Sequence, residues 1–441
     1  MNESIPVSDL YAYELIGSGR SRGGIYTMIF PNLGVECNIR RMKENSDFEV
    51  RADLKFISFR PTSRGHLRRG RVILTSTDNR HKMSKALAYR DNEVEWDAVM
   101  EILSEVVLED YRTGAPVETL TGEVDIEAQK KWLIDPILEQ GSLTIMYAPG
   151  SSGKSWIAQY LTVLVDAGRS TNEYQVEPAI VLYLDWETTK QELDSRVTMI
   201  RRGLNLSGKS NIKYRTMYAG VVSDLERIQE IIIEERISLV VIDSVASACG
   251  GEAENAKVVL DTFNGLRSLN VSVLAIDHTN KENQLFGSVY KFNEARNVFE
   301  LVKNQESDEQ KIVIGLFHRK TNNGPLIRDR GTEVSFTKDQ AIFSEVNIRD
   351  TSLEEHQGVR ERIKNMLRSG PATPLDISIA LGKGEGSIRT VLSNGVRDGI
   401  FTHIKDITAG RSTGKYALAV PVAKAPSPIE DDGGDEEWLI D

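Results

Sequence analysis

Four stretches of the chain are almost continuously apolar: Leu143-Thr-Ile-Met-Tyr147, Ile180-Val-Leu-Tyr-Leu184, Leu239-Val-Val-Ile242 and Val271-Ser-Val-Leu-Ala-Ile276. Helical segments such as Trp156 to Val165 separate them. Apolar strands alternating with helices predict an α/β core with a parallel sheet covered on both faces, over residues 128–348. Ligands of such sheets gather beyond the carboxyl ends of the strands. Upstream, residues 1–115 predict a β-rich module. Phe48-Glu-Val-Arg-Ala-Asp-Leu-Lys-Phe56 alternates at period two, the mark of a half-buried strand. Gly23 to Phe30 and Gly70 to Thr75 read as further strands, and Glu95 to Tyr111 as an amphipathic helix. The polar stretch from Thr113 to Glu127, with Gly114, Pro116 and Gly122, reads as a linker. Downstream, His356 to Leu367, Pro374 to Leu381 and Gly386 to Arg397 read as three helices. Phe401 to Ile404 and Lys415 to Leu418 then form a hairpin. That order predicts a winged helix over residues 353–420. The tail, residues 421–441, is rich in Pro, Gly and acid and is expected to be disordered.

Totals sharpen this outline. A chain of 441 residues is too long for one ordinary core. No apolar run approaches bilayer length, and Met1-Asn-Glu-Ser-Ile-Pro6 does not begin a secretory signal, so no membrane association is expected. Cys37 and Cys249 are the only cysteines, too few for a disulfide framework or a cysteine zinc site; a reducing, cytoplasmic setting fits. The net charge of −11 conceals an uneven distribution. Glu430, Asp431, Asp432, Asp435, Glu436, Glu437 and Asp441 load the tail, whereas Arg60 to Arg90 is rich in Arg, Lys and His. A basic surface can bind phosphates locally while an acidic tail sets the overall sign.

The strand ends carry the candidate chemistry. Ala148-Pro-Gly-Ser-Ser-Gly-Lys-Ser155 follows an apolar strand and precedes an apolar helix, the setting of a P-loop. Gly150 and Gly153 free the backbone to turn its N–H groups towards phosphate, and the helix N-terminus adds partial positive charge. Ala148, Pro149, Gly150, Ser151, Ser152, Gly153, Lys154, Ser155 and Trp156 are therefore the expected nucleotide-binding residues. Lys154 reaches for the β/γ-phosphates and the Ser155 hydroxyl for Mg²⁺. Ala148 stands where Gly is usual. Asp243, ending a buried strand, is the second expected metal residue; the alternative is a helix cap. Glu187 is the preferred base for the attacking water and Asp185 its rival, or either caps the helix that starts near Thr188. His278 or Asn280 ends a fourth strand where a γ-phosphate sensor would sit, or His278 is an ordinary strand-end residue. His318-Arg-Lys320 opens a basic loop: Lys320, ahead of Arg319, is a candidate to stabilise phosphoryl-transfer charge in a neighbouring subunit, or the loop is a solvated turn.

Taken together, the P-loop, Asp185-Trp-Glu187, Val-Val-Ile-Asp243-Ser and Asp277-His278 resemble the RecA-like P-loop ATPases of the RepA/DnaB helicase group. Phe286-Gly-Ser-Val-Tyr-Lys291, Ala295-Arg-Asn-Val-Phe-Glu-Leu301 and His318-Arg-Lys320 are similar to segments of phage and bacterial members. The resemblance covers Trp132 to Val346. It implies a RecA-like core, ATP and Mg²⁺ as cofactors, a homo-hexameric ring, and movement on single-stranded DNA in replication. It also implies Glu187 as the water-activating carboxylate, His278 as sensor, and Lys320 or Arg319 as a finger acting across the subunit interface. The zinc-ribbon cysteines of a primase are absent from the sequence.

The same core serves recombinases and ATP-driven regulatory switches, and fold alone does not choose among them. The flanks point to DNA. Arg64, Arg68, Arg69, Arg71, Arg80, Lys82 and Lys85, with Phe56, Phe59 and Tyr89 nearby, suit a phosphate backbone and stacked bases, or form a solvated face. Ser387, Arg389, Thr390 and Arg397, with Arg411 and Lys415 on the wing, suit a groove or phosphates, or the domain contacts protein. The tail ends in Glu436-Glu-Trp-Leu-Ile-Asp441, an apolar tip on a charged tether suited to a partner's basic groove, to the protein's own basic surface, or to solubility alone.

Overall fold

The computed structural model describes residues 10–18, 24–113, 117, 119–123, 131–252, 255–279, 289–304, 310–404 and 414–419. The acidic tail, Arg411, Asn280, most of the linker and residues 286–288 lie outside the described residues. The chain divides into two compact units, Met1–Asn347 and Ile348–Asp441.

The first unit opens with five antiparallel strands in sequence order: β1 (Glu14–Ser18), β2 (Ile25–Phe30), β3 (Val35–Glu44), β4 (Val50–Ser58) and β5 (Gly65–Ile73). Two helices follow, α1 (Thr77–Ala88) and α2 (Trp96–Thr113). Alternation works as expected in β4, where Val50, Ala52, Leu54 and Phe56 are buried and the residues between them are not. The strand starts two residues later than its apolar pattern, because Phe48 takes a left-handed backbone (φ 58°) and lies exposed. Phe56 packs against Trp96 of α2, ring centroids 5.6 Å apart, and is closed to any base. Phe59 and Tyr89 are exposed.

The larger sheet has nine strands. After β6 (Trp132–Asp135) and β7 (Leu138–Glu139) come β8 (Leu143–Ala148), α3 (Lys154–Ala167), β9 (Gln175–Val176), β10 (Val181–Asp185), α4 (Lys190–Gly203) and β11 (Lys213–Thr216). Next are α5 (Leu225–Glu234), β12 (Leu239–Asp243), α6 (Val245–Ala248), α7 (Ala256–Ser268), β13 (Ser272–His278) and α8 (Val289–Glu294). Four strands finish the unit: β14 (Asn297–Asn304), β15 (Lys311–Thr321), β16 (Arg330–Phe336) and β17 (Ala341–Val346). The order is β11-β10-β12-β13-β8-β14-β15-β16-β17. Strands β11 to β14 of that order run parallel, while β15, β16 and β17 continue antiparallel. The expected parallel sheet is thus mostly parallel, with an antiparallel edge. Every residue of β8, β10 and β12 is buried, as a sheet covered on both faces requires.

In the second unit, α9 (Val359–Arg368), α10 (Pro374–Leu381) and α11 (Glu385–Arg397) precede an antiparallel hairpin of β18 (Phe401–Ile404) and β19 (Lys415–Leu418). Ile363, Leu367, Ile377, Ile388, Leu392 and Phe401 form its core. Thr373 and Asp376 cap α10 reciprocally, and Pro374 occupies its first turn, which explains why this helix was legible from sequence. No helix among the described residues is long and apolar enough to cross a membrane.

Candidate functional site

Register brings four strand ends to one line. Asp185 pairs with Asp243, Asp243 with Ile276, and His278 with Ala148. Strand β13 lies between β8 and β12, so His278 stands between the P-loop and Asp243. The P-loop turns through two left-handed residues, Ser151 (φ 59°) and Gly153 (φ 86°). The positive φ favours glycine at residue 153, and a Cβ there would lie 2.5 Å from Ile314 Cδ1 and push that methyl aside. The loop opens on a cleft of ≈ 360 Å³ lined by residues 151–156, Glu187, Arg196, His278, Lys303, Ile312 and Phe336.

Lys154 is buried, and its Nζ donates to Ala148 O at 2.9 Å and Pro149 O at 2.8 Å. Burial lowers its pKa, against the nearby carboxylates of Glu187, Asp243 and Asp277. Its Nζ also lies 3.4 Å from His278 Nδ1. On the other side of the ring, His278 Nε2 is 3.1 Å from Glu187 Oε1. Ser244 Oγ donates to the same Glu187 oxygen. The His278 and Ser244 hydrogen bonds hold the Glu187 carboxyl below its usual range against burial, with His278 the largest influence.

Asp185 has another job. Its Oδ1 accepts from the backbone N–H of Glu187 (2.9 Å) and Thr188 (3.1 Å), and its Oδ2 from Tyr214 Oη at 3.2 Å. It is fully buried and shapes the turn that carries Glu187 into the cleft. Helix α4 is capped instead by Thr189. Of the two rival carboxylates, only Glu187 lines the cleft.

Asp243 is buried at the end of β12, where Tyr183 Oη donates to its Oδ2 at 2.7 Å. Burial pushes its pKa up, while the hydroxyls of Tyr183 and Ser155 oppose the shift. A serine hydroxyl beside one carboxylate fits Mg²⁺, which keeps most of its waters and takes its remaining ligands from phosphate. Among the described residues no group of three or more His, Cys, Asp or Glu forms an all-protein metal site. Ser155 and Asp243 are the residues that would hold the ion, and it would supply charge neutralisation on the phosphates.

The basic loop is engaged within its own chain. Lys320 Nζ donates to Phe292 O, Asn293 O and Ala295 O at 2.6–2.8 Å, satisfying carbonyls at the end of α8. Arg319 pairs with Glu300 at 2.6 Å and lies over the Phe317 ring. His318 is buried, stacked on Phe299, and accepts from Ile327 N–H through Nδ1. None of the three lines the cleft of its own chain.

Sequence reasoning missed Ser244 and Lys291 as participants. Lys291 Nζ donates to Asp277 Oδ2 at 2.8 Å, and both side chains are fully buried. That pair anchors α8 to the residue beside His278. Ser244 had a signal, its place directly after Asp243. Lys291 was visible only as the end of the Phe286 to Lys291 resemblance, and its role was not, because its partner is chosen by tertiary packing.

A protein-family model described as an AAA domain matches residues 117–284, which span the P-loop, Glu187, Asp243 and His278. The core is a P-loop ATPase domain. No curated protein matches the chain. A solved structure, that of a KaiC-like protein from the hyperthermophilic archaeon Pyrococcus horikoshii OT3, is similar at 15% identity, over 52% of this chain and 100% of that one, with a TM-score of 0.36.

The flanking candidates divide. In the N-terminal module, Arg71 pairs with Asp53 at 2.9 Å and Arg80 with Glu101 at 2.8 Å. Arg64, Arg68, Arg69, Lys82 and Lys85 are exposed, and Arg68 and Arg69 project from edge strand β5. In the second unit, Ser387, Arg389, Thr390 and Arg397 are all exposed on α11. Arg389 pairs with Glu385 one turn earlier, Thr390 Oγ1 donates to Gly386 O, and Arg397 lies 3.8 Å from Asp398. Lys415 is exposed on β19.

Proposed function

We propose that this protein is an ATP-hydrolysing DNA motor, a RecA-like hexameric replicative helicase of the RepA/DnaB type serving a phage or mobile element. The observation that carries the hydrolytic part is that Lys154, Glu187 and His278 line one cleft at neighbouring strand ends, with Asp243 buried at the end of the strand between those of Glu187 and His278. Glu187, held ionised by His278 and Ser244, takes the proton of the attacking water. Lys154 leaves its carbonyl partners for the β/γ-phosphates. His278, touching both Lys154 and Glu187, senses the γ-phosphate. In a ring, Lys320 or Arg319 exchanges its present partners for the phosphate of the neighbouring site. Exposed Arg68 and Arg69 on a sheet edge, and α11 of a winged-helix unit, supply the DNA contacts.

The test is hydrolysis with and without single-stranded DNA, alongside unwinding of a forked duplex. Stimulated hydrolysis with unwinding is expected. Stimulation without any unwinding overturns the helicase reading. The exposed polar face of α11 favours one second reading, an ATP-switched DNA-binding regulator. Hydrolysis indifferent to DNA, with binding confined to duplex sites, is its signature.

A further inference from the structure

The N-terminal module meets the ATPase core through charge. Both belong to the first unit, yet their hydrophobic clusters share no residue. Arg41 of β3 takes a left-handed backbone (φ 55°) where the β3–β4 register breaks between Arg40 and Lys43. Such irregularities re-aim side chains. Here they place two cations on one carboxylate of the core, that of Glu226, the second residue of α5. Arg41 Nε lies 3.5 Å from Glu226 Oε2, and Lys43 Nζ lies 3.3 Å from Glu226 Oε1. Glu230 and Glu234, one and two turns on, pair with Arg227 and add negative charge near Arg40. Arg41 also reaches Asp53 at 3.5 Å, and Asp53 holds Arg71 at 2.9 Å. Arg71 stands two residues from Arg69 on the solvent face of β5. The latched cations thus continue the basic edge to which DNA contact is assigned above. Exposed ion pairs contribute little to stability, and salt weakens them further. Lys43 is 76% exposed and Arg41 45%, so a polyanion can reach both while β3 and α5 stay folded.

We propose that Glu226 is an internal stand-in for a phosphate: it latches Arg41 and Lys43 to the ATPase core, and a single-stranded nucleic-acid backbone displaces it and parts β3 from α5. The proposal rests on the reading of the N-terminal module as a DNA-binding surface. Cations held by Glu226 are withheld from DNA, so the latch reduces apparent affinity in proportion to the fraction of molecules that are open. DNA and α5 therefore compete for the same two side chains.

Two measurements on the full chain test this. A carbodiimide joins an amine directly to a carboxylate it touches, and mass spectrometry locates the link. A Lys43–Glu226 cross-link is expected in the free chain and is expected to fade as a single-stranded oligonucleotide saturates it. In the second measurement, fluorescence anisotropy at low salt compares oligonucleotide affinities. Glu226→Gln is expected to bind about three- to tenfold tighter than the native chain. Glu235→Gln removes the same charge at the end of α5, but its partner is Lys213 of β11, so its affinity is expected to stay within about twofold of native. A cross-link absent from the free chain, or undiminished at saturation, overturns the latch. So does a Glu226→Gln affinity equal to that of the native chain or of Glu235→Gln. Each of these results leaves the DNA-binding reading standing, because the native chain still binds. A chain that binds no oligonucleotide, native or Glu226→Gln, overturns both.

Discussion

Two carboxylates two residues apart, Asp185 and Glu187, show how far residue-level chemistry can be read before folding. The sequence places both at a strand end, and either type can act as a base or a cap. The structure separates them by hydrogen bonding: Asp185 is spent on two backbone N–H groups and Tyr214, whereas Glu187 faces the cleft. Glu187→Gln is therefore expected to slow ATP hydrolysis by about 10²–10⁴-fold with nucleotide affinity within a few-fold of native. Asp185→Asn is expected to lower the melting temperature, because it weakens the turn. Equal losses of activity and equal melting temperatures for the two variants would refute this division. Ser244 adds a pH signature. Its hydroxyl helps hold Glu187 below its usual range, so Ser244→Ala raises that pKa. A base must be ionised to act, so activity fails as pH falls through its pKa. The acid limb of the pH–rate profile is expected to move to higher pH in Ser244→Ala; an unmoved limb excludes Glu187 as the titrating base.

At the scale of elements, local signals were legible and long-range ones were not. The P-loop, with its strand, glycines and helix in immediate succession, needed no tertiary information. Strands β8, β10, β12 and β13 announced themselves as apolar runs. Helix α1 did not, because its many polar residues masked a short buried face of Met83, Ser84 and Leu87. Strand β17, at the sheet edge, and its neighbour β16 escaped because neither alternates cleanly between buried and exposed positions. One consequence of that edge is testable. Glu173, in the loop between α3 and β9, is pushed up to about 7, chiefly by burial and then by Glu345 of β17. An unfolded carboxylate titrates near 4.3, so the folded chain keeps a proton that the unfolded chain releases, and stability falls as pH rises through roughly 4.3 to 7. Glu173→Gln is neutral throughout. Its melting temperature should match the parent near pH 4 and exceed it near pH 8, by about 2–4 °C per kcal/mol. A constant difference across that range would show that Glu173 titrates normally. In the second unit, Gly395 of α11 lies against Phe401, where an added Cβ would sit 2.1 Å from the ring. Gly395→Ala is expected to destabilise that unit by about 1–3 kcal/mol, seen as earlier proteolysis of residues 348–441 with the ATPase core intact.

For the whole molecule, charge patterning was legible only in part. The stretch from Arg60 to Arg90 reads as one basic face, yet Arg60, Arg71 and Arg80 are paired with Asp91, Asp53 and Glu101. Such pairs form across strands and between helices, so a one-dimensional count of cations overstates the field they project. The cations on the β5 edge, Arg68 and Arg69, survive this discount and carry the expectation of DNA contact. Each Lys or Arg that neutralises a phosphate of single-stranded nucleic acid steepens the dependence of log affinity on log salt by about 0.7. Replacing Arg68 and Arg69 together with Ala is therefore expected to flatten that slope by about 1.4 and to weaken binding at low salt most. Arg71→Ala is the contrast. Its guanidinium, although exposed, is committed to Asp53 at 2.9 Å, so its loss should change the slope far less. Fluorescence anisotropy of a labelled oligonucleotide over a salt series reads both variants directly. Slopes unchanged by the double variant would make the β5 edge an ordinary solvated surface and leave DNA contact to the second unit. A flattened slope, together with loss of DNA-stimulated hydrolysis, would tie the N-terminal module to the cleft at the strand ends of the larger sheet.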